Sequence, residues 1–380
     1  FSYLTSIVEE NAYYASGSTA GFGIRLRYDT VNRKLFVMES FEGAPALNAG
    51  IDRGDEIVSI GTSAADDRLV SDLYASGGSA AVADALGPST AGVSRYLEVS
   101  RNAVTRGVTL TKTDYSLTPV SSRYGARIID DGGRRVGYLN LRTFISTADA
   151  RLREEFLKFR NAGISEFIID LRYNGGGLVS IGQLMGDLLG GNRSSGQIFS
   201  QITYRPEKSS NNSTKYFAAQ PEAVSPVKLA FVTTGATASA SELVINGFIP
   251  YFTSNLALVG ANTYGKPVGQ VAFDRSACDD RLRVIAFSTR NAAGSDNYFN
   301  GLASTVGASC AAGDDITHAM GDALEGSTRQ ALDFLAGRAC TAITADAAAG
   351  LAKPGLPELA EELLMPARPT PAQRQVPGLF

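Results

Sequence analysis

The first third of the chain alternates apolar and polar residues with the short period that is typical of β-strands. GFGIRLRYD, KLFVMESF and RGDEIVSI each read as a strand, and glycines or charged turn residues separate them. APALNAGI, between the second and third of these, reads as a short helix. We predict a lead-in helix over residues 1–17, followed by a β-rich unit over residues 18–115 that LEVSR and GVTLTKTDY complete.

From residue 116 the pattern changes to strands that alternate with helices. RRVGYLNLRTF and EFIIDLRYN read as apolar strands, and the helix between them places Leu152, Phe156 and Phe159 on one face. KLAFVTT and LALVG follow as further strands, with helices after NGGG and after TASASE. Nearly continuous apolar strands are typical of a sheet that helices cover on both faces. The pattern therefore predicts a layered α/β core over residues 116–340.

Two segments lack this regularity. Residues 192–225 are polar, and we predict an exposed excursion from the core there. Residues 341–380 are rich in Ala and Pro, a composition that normally stays disordered. This tail nevertheless finishes in Leu379 and Phe380, two large apolar residues that a peptide groove or a catalytic cleft accepts. We also expect the tail to dock into such a site, of this chain or of a neighbour through self-association.

Composition excludes several kinds of chemistry. The net charge is −3 and charged residues make up 19% of the chain, so no basic surface for nucleic acid is expected. One histidine and three cysteines rule out a two-histidine zinc site, and no CxxC pair occurs. No apolar run approaches the roughly 20 residues of a membrane helix. We therefore expect no metal, no cofactor and no transmembrane segment. His318 lies in a polar stretch, so a serine hydrolase built on this sequence would use another base.

Three segments carry residues with catalytic potential. Gly175–Gly177 follow a buried strand. Their spacing fits neither the GxGxxG motif nor the P-loop of phosphate-binding proteins, so the segment is interpreted as an oxyanion-binding turn or as a plain tight turn. Ser239 and Ser241 lie two residues apart, so only one of them can face a given pocket. Lys266 follows a strand in TYGKPVGQ, and burial there would lower its pKa enough for it to act as a base. The plainer interpretations are a helix cap for the serine and a solvated surface residue for the lysine.

Together, DLRYNGGG, TASASE and TYGKPVGQ, in this order, resemble the C-terminal processing peptidases, also called tail-specific proteases. The resemblance covers most of the chain and implies a layered core of the crotonase and Clp-protease kind. It also implies a Ser-Lys dyad in which Ser239 is the nucleophile, Lys266 is the base and Gln270 assists the lysine. The implied oxyanion donors are the main-chain amides of Gly177, Gly176 and Ala240.

The sequence departs from the family pattern at two places. Ser239 lies two residues farther from Lys266 than is usual, whereas Ser241 would meet the usual spacing. We retain Ser239, because FIPYFTSN reads as a lengthened helix–strand connection, and we expect Ser241 to cap or to pack. Pro267 stands where a glycine is usual, and it is expected to stiffen the loop that presents Gln270.

The β-rich unit resembles a PDZ domain. GFGI stands where that family has its carboxylate-binding loop, and EGAPALNAGIDRGDEIVSI fits its helix, turn and strand. The resemblance implies peptide binding at Gly21, Phe22, Gly23 and Ile24, where main-chain amides hold a chain-terminal carboxylate and the peptide adds a strand to the sheet. The plainer interpretation is a small β-rich domain without a ligand.

The resemblance to the processing peptidases implies an exported serine endopeptidase that cleaves proteins or peptides recognised through their C-termini. It implies a bacterial periplasm or cell envelope, with a lipid anchor upstream as a further expectation. The alternative is a PDZ peptide-binding scaffold whose active site is retired. Because exported members can hold disulfides, Cys310 and Cys340 are the preferred pair, although Cys278 with Cys310, or three buried thiols, stay open.

Overall fold

The computed structural model describes residues 2–344 and 360–380, and this part of the chain contains twenty strands and eight α-helices. The strands are β1 Tyr3–Ser6, β2 Ser18–Gly21, β3 Ile24–Asp29, β4 Lys34–Ser40, β5 Glu56–Gly61, β6 Arg68–Leu69, β7 Ser94–Arg101, β8 Val104–Thr111, β9 Thr113–Ser116, β10 Ala126–Asp131, β11 Arg134–Asn140, β12 Glu166–Asp170, β13 Ile198–Tyr204, β14 Ser213–Tyr216, β15 Lys228–Thr233, β16 Leu256–Gly260, β17 Val268–Arg275, β18 Asp280–Arg290, β19 Ala308–Ala311 and β20 Glu361–Leu363. The helices are α1 Ile7–Ser16, α2 Pro45–Asn48, α3 Val70–Ala85, α4 Ala148–Asn161, α5 Val179–Leu189, α6 Ala240–Phe252, α7 Gly326–Leu335 and α8 Pro371–Gln375.

The core is a six-stranded sheet in the order β10-β11-β12-β15-β16-β19. All neighbouring pairs are parallel except β10 with β11. The central strands are apolar throughout because helices cover both faces. Phe231 of β15 packs in the cluster that includes α4, α5 and α6, whereas the next residue, Val232, packs in the cluster with α7. The predicted layered α/β core is therefore observed.

A seven-stranded antiparallel sheet forms the β-rich unit, in the order β20-β3-β4-β5-β7-β8, with β6 beside β5. Helix α3, which the sequence pattern did not indicate, contributes Val70 and Leu73 to the apolar cluster that includes Phe22 and Ile24. The edge strand β20 comes from the tail and pairs antiparallel with β3. The unit therefore needs residues from far outside the predicted range of 18–115.

The prediction of an exposed excursion over residues 192–225 is wrong in part, because the segment contributes two strands and two buried aromatic residues. Strands β13 and β14 lie in it, and they join β18, β17 and β1 in a five-stranded sheet. Phe199 and Phe217 are buried in the main core cluster. Residues 205–214 form the longest exposed run of the segment. These two aromatic residues hold the segment against the core. They were overlooked because most of the residues around them are polar.

The lead-in segment begins with a strand, so the predicted helix over residues 1–17 is too long. Strand β1 pairs antiparallel with β18, and α1 starts only at Ile7. The Ser6 hydroxyl accepts the N–H of Glu9 at 3.1 Å and caps the helix. Gly17, in the left-handed conformation at φ 73°, ends it.

Residues 360–380 of the tail are ordered, contrary to the expectation from composition. Residues 345–359 lie outside the described residues. Its final helix, α8, has a capping box made by Thr370 and Gln373. Leu379 and Phe380 are buried against other parts of the chain. Composition suggests disorder because the tail is rich in Ala and Pro, and the partners of its buried apolar residues lie in the rest of the chain.

A disulfide joins Cys310, in β19, to Cys340, with an S–S distance of 2.02 Å. Cys278 is exposed and is the one free cysteine among the described residues. In the part of the chain covered by the structure, no helix combines the length and the apolar character needed to cross a membrane.

Candidate active site

Three loops that follow neighbouring parallel strands form the site. DLRYNGGG begins at the end of β12, TGATASASE follows β15, and ANTYGK follows β16. These strands are neighbours in the order β12-β15-β16, and all three run in the same direction. Their carboxyl ends therefore meet at one edge of the sheet, which is where α/β folds of this layered kind hold their ligands.

Ser239 immediately precedes α6 and has a backbone conformation that non-glycine residues rarely adopt. Its φ is 58° and its ψ is −113°. The residue is partly exposed, whereas Ala240, which starts the helix, is buried. Backbone strain of this kind costs roughly 1–3 kcal/mol and persists where the surrounding structure enforces it, often at functional sites.

Ser241 is fully buried and faces away from the opening. Its hydroxyl donates to the main-chain oxygen of Asn174 at 3.0 Å. Its N–H donates to the oxygen of Ala238 at 3.1 Å. The prediction that Ser241 caps or packs therefore agrees with its position, and Ser239 is the one of the two serines that lines the cavity described next.

A cavity of about 210 Å³ brings four of the predicted site residues together, namely Gly177, Ser239, Lys266 and Gln270. Tyr14, Arg283 and Phe287 also line it, as does Gln375 of the tail. Burial lowers the pKa of Lys266 to about 8, and the negative charge of Glu242 opposes part of that shift. A lysine with such a pKa is neutral for a useful fraction of the time near neutral pH.

The NGGG turn packs directly against the serine. A side chain at Gly176 would bring its Cβ to 2.8 Å from the Cβ of Ser239, so only glycine allows this approach. At Gly177, where φ is 136°, a Cβ would overlap the main-chain oxygen of Phe144. The three consecutive glycines therefore let the backbone of this turn lie beside Ser239.

The N–H groups of this turn differ in their use. That of Gly176 donates to Asn174 Oδ1 at 2.9 Å, so it is engaged already and does not suit the predicted oxyanion role. The bridge between Phe144 and Gly177 uses the Phe144 N–H and the Leu178 N–H and leaves that of Gly177 aside. Ala240 is the first helical residue, and an N–H at that position has no acceptor within its helix.

Glu242 ties the two halves of the site together, and the sequence analysis did not assign it a role. Its carboxylate accepts the N–H groups of Ser239, Gly265 and Lys266 at 3.0, 2.7 and 2.8 Å. Burial raises its pKa, while these hydrogen bonds and one from the side chain of Thr263 act in the opposite direction. The serine–x–x–glutamate spacing of a capping box was the signal in the sequence that could have revealed it.

Gln270 lies on β17 at an irregularity in the pairing with β18, between Gly269 and Gln270. Gly269 packs under the ring of Phe287, where a Cβ would overlap it. Pro267 anchors the loop, because its main-chain oxygen accepts the Thr289 N–H at 2.9 Å. The stiffened loop nevertheless presents Gln270 to the cavity.

The predicted peptide-binding loop receives the end of the tail. The N–H groups of Gly23 and Ile24 donate to the main-chain oxygen of Phe380 at 2.8 and 3.2 Å. The Phe380 N–H donates in turn to the Ile24 oxygen at 2.8 Å, and the Leu26 N–H donates to the Gly378 oxygen at 2.8 Å. The last residues therefore form an added antiparallel strand beside β3.

The other two residues of the predicted loop also contact Phe380. A Cβ at Gly21 would lie 2.9 Å from the main-chain carbon of Phe380, so the approach is close. Phe22 is fully buried and belongs to the same apolar cluster as the Phe380 ring. All four residues assigned to the peptide-binding loop therefore contact Phe380 of the docked strand or share its apolar cluster.

A buried ion cluster connects the loop after β12 to the β-rich unit. Arg172 pairs with Asp170 at 2.9 Å, with Asp314 at 3.0 Å and with Glu325 at 2.9 Å. Arg53 of the β-rich unit pairs with the same Asp314 at 2.8 Å. The positive charges of Arg53 and Arg172 hold the pKa of Asp314 well below its usual range. This cluster fixes the start of DLRYNGGG relative to the β-rich unit.

Comparison with known proteins shows that part of the chain is similar to one peptidase family. Residues 135–303 match the model of peptidase family S41. The carboxyl-terminal-processing protease of Synechocystis is 27% identical over 263 residues, which are 69% of this chain and 56% of that protein. The chloroplastic C-terminal processing peptidase of Tetradesmus obliquus is 31% identical over 175 residues, which are 44% of this chain and 36% of that protein. The chain thus spans about half the length of the curated relatives it matches.

The fold is shared with a crystal structure from Bacteroides fragilis assigned to the S41 proteases. The two chains superpose with a TM-score of 0.67 at 23% identity, over 89% of this chain and 86% of the other. The predicted α/β fold class is confirmed by this likeness.

The matched region contains Gly177, Ser239, Lys266 and Gln270, whereas Tyr14 and Gln375, which also line the cavity, lie outside it. These findings define a serine-type peptidase region. The match to peptidase family S41 is confined to residues 135–303, and the predicted resemblance to the C-terminal processing peptidases is confirmed.

Proposed function

We propose that the chain is a serine endopeptidase that uses a Ser-Lys dyad. Ser239 is the nucleophile, Lys266 in its neutral form is the general base, and Gln270 orients the lysine. The observation that carries the proposal is the single cavity of about 210 Å³ lined by these three side chains and by Gly177. The lowered pKa of Lys266, about 8, supports the base role, since a base has to be unprotonated to accept a proton.

In the first step the Ser239 Oγ forms a bond to the carbonyl carbon of the scissile peptide, and its proton passes to Lys266 Nζ. The carbonyl oxygen becomes an oxyanion that accepts hydrogen bonds from the N–H groups of Gly177 and Ala240. Collapse of this intermediate breaks the C–N bond, and Lys266 returns the proton to the leaving amine. Water then attacks the acyl-enzyme with the same base and restores Ser239.

Protein or peptide substrates follow from the family. We further propose that the β-rich unit recruits them by their C-terminal residues, as a PDZ domain does, at Gly21, Phe22, Gly23 and Ile24. The main-chain bonds from Gly23 and Ile24 to a docked strand support this role, because such bonds read an extended backbone and not its side chains. Self-association through the tail stays a prediction.

An exported location in the periplasm or cell envelope is also part of the proposal, and lipid anchoring stays a prediction. The disulfide between Cys310 and Cys340 supports export, since such bonds persist in oxidising compartments. Denatured, unreduced protein from the natural host should therefore react with one equivalent of a thiol reagent, through Cys278. Three reactive thiols would contradict the exported location.

Hydrolysis of an unfolded, reduced and alkylated protein tests the proposed activity. The chain should cleave it, and Ser239→Ala should not, while chelators leave the rate unchanged. Cleavage that is equal in the two proteins would contradict the mechanism. Peptide binding without cleavage in either protein would instead favour the retired scaffold.

A further inference from the structure

The C-terminal segment contacts the peptide groove and the catalytic cavity at the same time. Residues 378–380 lie beside β3 as an added strand, and Gln375, three residues earlier, lines the cavity with Ser239 and Lys266. The short helix α8 carries Gln375 as its last residue. A single stretch of about ten residues therefore reaches both sites that the proposed function requires.

At the cavity, the contact is made by the main chain as well as by the side chain. The Gly175 N–H donates to the main-chain oxygen of Gln375 at 2.9 Å. A Cβ at Gly175 would lie 2.9 Å from the oxygen of Arg374, so the tail packs closely on the NGGG turn. The guanidinium of Arg374 lies 4.0 Å from the ring centroid of Tyr3 and fixes α8 from the other side.

Between the two sites, a buried glutamine holds the tail in its bent path. The amide nitrogen of Gln373 donates to the main-chain oxygen of Leu379 at 2.8 Å and to the Ser89 hydroxyl at 3.1 Å. Its amide oxygen accepts the Thr370 N–H at 2.9 Å. Gln373 is 2% exposed, and its partners lie in the tail and in the β-rich unit. The bend between groove and cavity is thus a specific, hydrogen-bonded structure.

We propose that residues 370–380 are an internal ligand, which occupies the peptide groove and one side of the catalytic cavity and which a substrate has to displace. The proposal deepens the proposed function and rests on it for its consequence on catalysis. The N–H groups of Gly23 and Ile24, which would hold an incoming strand, both donate to Phe380 already. A second strand cannot use the same donors, so occupation by the tail and by a substrate exclude each other.

Because the tail belongs to the same chain, its docking is intramolecular. Tethering gives a ligand an effective concentration that reaches the millimolar range for short flexible linkers. A free peptide therefore binds only in proportion to the fraction of molecules whose groove is open. Competing peptides should carry a large apolar residue at the position of Phe380, since its ring is buried in the cluster of Phe22, Ile24 and Leu26.

A binding experiment tests the proposal without relying on catalysis. A fluorescent peptide with the sequence of residues 371–380 is titrated with the full chain and with a chain that lacks residues 366–380, both carrying Ser239→Ala. The truncated chain should bind the peptide at least about 100-fold more tightly than the full chain, and a peptide with Phe380→Lys should bind neither. Equal binding to both chains, or no binding to a folded truncated chain, would overturn the proposal.

A rate measurement then separates this proposal from the proposed function. With Ser239 intact, truncation should raise kcat/KM on an unfolded protein by about tenfold or more, and the free 371–380 peptide should inhibit the truncated chain. If the binding result holds and neither chain cleaves substrate, the proposed function fails and the internal ligand stands. If both chains cleave at the same rate and bind the peptide alike, the internal ligand fails and the peptidase stands.

Should the truncated chain not fold, as judged by the loss of a cooperative thermal transition, two full-length variants replace it. Phe380→Lys removes the apolar anchor, and Gln373→Ala removes the hydrogen bonds that hold the bend. Each should increase binding of the peptide and the cleavage rate over those of the unmodified chain. A variant chain that folds and shows neither increase would contradict the proposal.

Discussion

The proposed catalytic cavity and the proposed peptide groove are both built on glycine-rich turns, yet they would recognise their ligands in different ways. The cavity collects side chains from separate loops, with Ser239 after β15, Lys266 after β16 and Gln270 on β17. The groove offers one stretch of main chain, from Gly23 to Leu26, over a wholly apolar cluster. Chemistry therefore depends on a few irreplaceable side chains, whereas strand addition depends on backbone geometry and apolar burial.

The two regions also differ in how they treat charge. Lys266 and Glu242 lie together at the cavity. Burial lowers the pKa of the lysine and raises the pKa of the glutamate, so it favours the neutral form of each. At the groove, by contrast, the buried Arg25 of β3 forms an ion pair with Glu39 at 2.6 Å, and the cluster that contains the Phe380 ring is apolar. Substitution in the cavity should therefore change rates by orders of magnitude. Substitution in the groove should change stability and binding by a few kcal/mol.

The largest expected effect comes from removing the nucleophile or the base. Ser239→Ala and Lys266→Ala should each lower kcat on an unfolded protein by about 10³-fold or more, because each removes a bond-making or proton-accepting group. Ser241→Ala is the matched control, since this serine differs by two positions and packs against Asn174. It should keep at least a tenth of the activity. The lost hydrogen bond should lower the free energy of unfolding by about 1 kcal/mol, which appears as a modest fall in the melting temperature.

Activity that survives in Ser239→Ala but disappears in Ser241→Ala would exchange the roles of the two serines. Such a result would also require the helix start at Ala240 to differ from that described. Thermal unfolding of each variant should accompany the assays, so that loss of fold is not mistaken for loss of chemistry.

The groove should be broken by a methyl group at Gly23. This residue has φ 73°, and a Cβ there would overlap that of Ala44. Gly23→Ala should lower the free energy of unfolding by about 2–4 kcal/mol, from the strained backbone and from overpacking together. Urea denaturation of the chain measures this loss.

Gly43→Ala separates the two causes. Gly43 has a nearly equal φ of 79°, and no atom lies within 4 Å of the Cβ that would be added. It should cost only the conformational strain, about 1–2 kcal/mol. If the two variants lose the same stability, the close contact between Gly23 and Ala44 does not affect stability. The backbone of the groove would then shift to accept a methyl group, contrary to the dependence on backbone geometry that we infer for it.

The same contrast decides how much of the molecule could be predicted from sequence. The layered core and the cavity residues Ser239, Lys266 and Gln270 could be placed because short motifs define them, each at the end of an apolar strand. Glu242 was missed because its partners are main-chain N–H groups from two loops that meet only in the fold. A local motif can be recognised in the sequence, whereas a hydrogen bond between distant segments leaves no local pattern there.

Long-range pairing also explains the errors in the less regular segments. Strand β20 and residues 378–380 pair with β3 across most of the chain length, and no local pattern announces such pairing. The polar segment 192–225 is fixed by Phe199 and Phe217, whose partners come from other elements. Where apolar residues are few, their effect depends on what the remainder of the chain places beside them.

The smallest expected effect, about tenfold, is the dependence of the rate on pH. In the proposed mechanism Lys266 accepts the proton of Ser239 only when it is neutral, and burial lowers its pKa to about 8, so kcat/KM should rise as pH increases from 7 to 9. About a tenth of such a lysine is neutral at pH 7 and about nine-tenths at pH 9, which gives the tenfold figure. The rise should level off above the pKa.

A second lysine with a pKa lowered to about 8 provides the control in the other region. Lys112 is buried in the β-rich unit, where its ammonium group donates to the main-chain oxygens of Gly87 and Pro88 at 2.8 and 2.9 Å. Lys112→Met should leave the pH profile of the rate in place, although it can change stability. Lys266→Arg should be inactive at every pH, because a guanidinium is not deprotonated in this range. A flat profile with chemistry rate-limiting, or a profile that Lys112→Met abolishes, would remove Lys266 from the role of base.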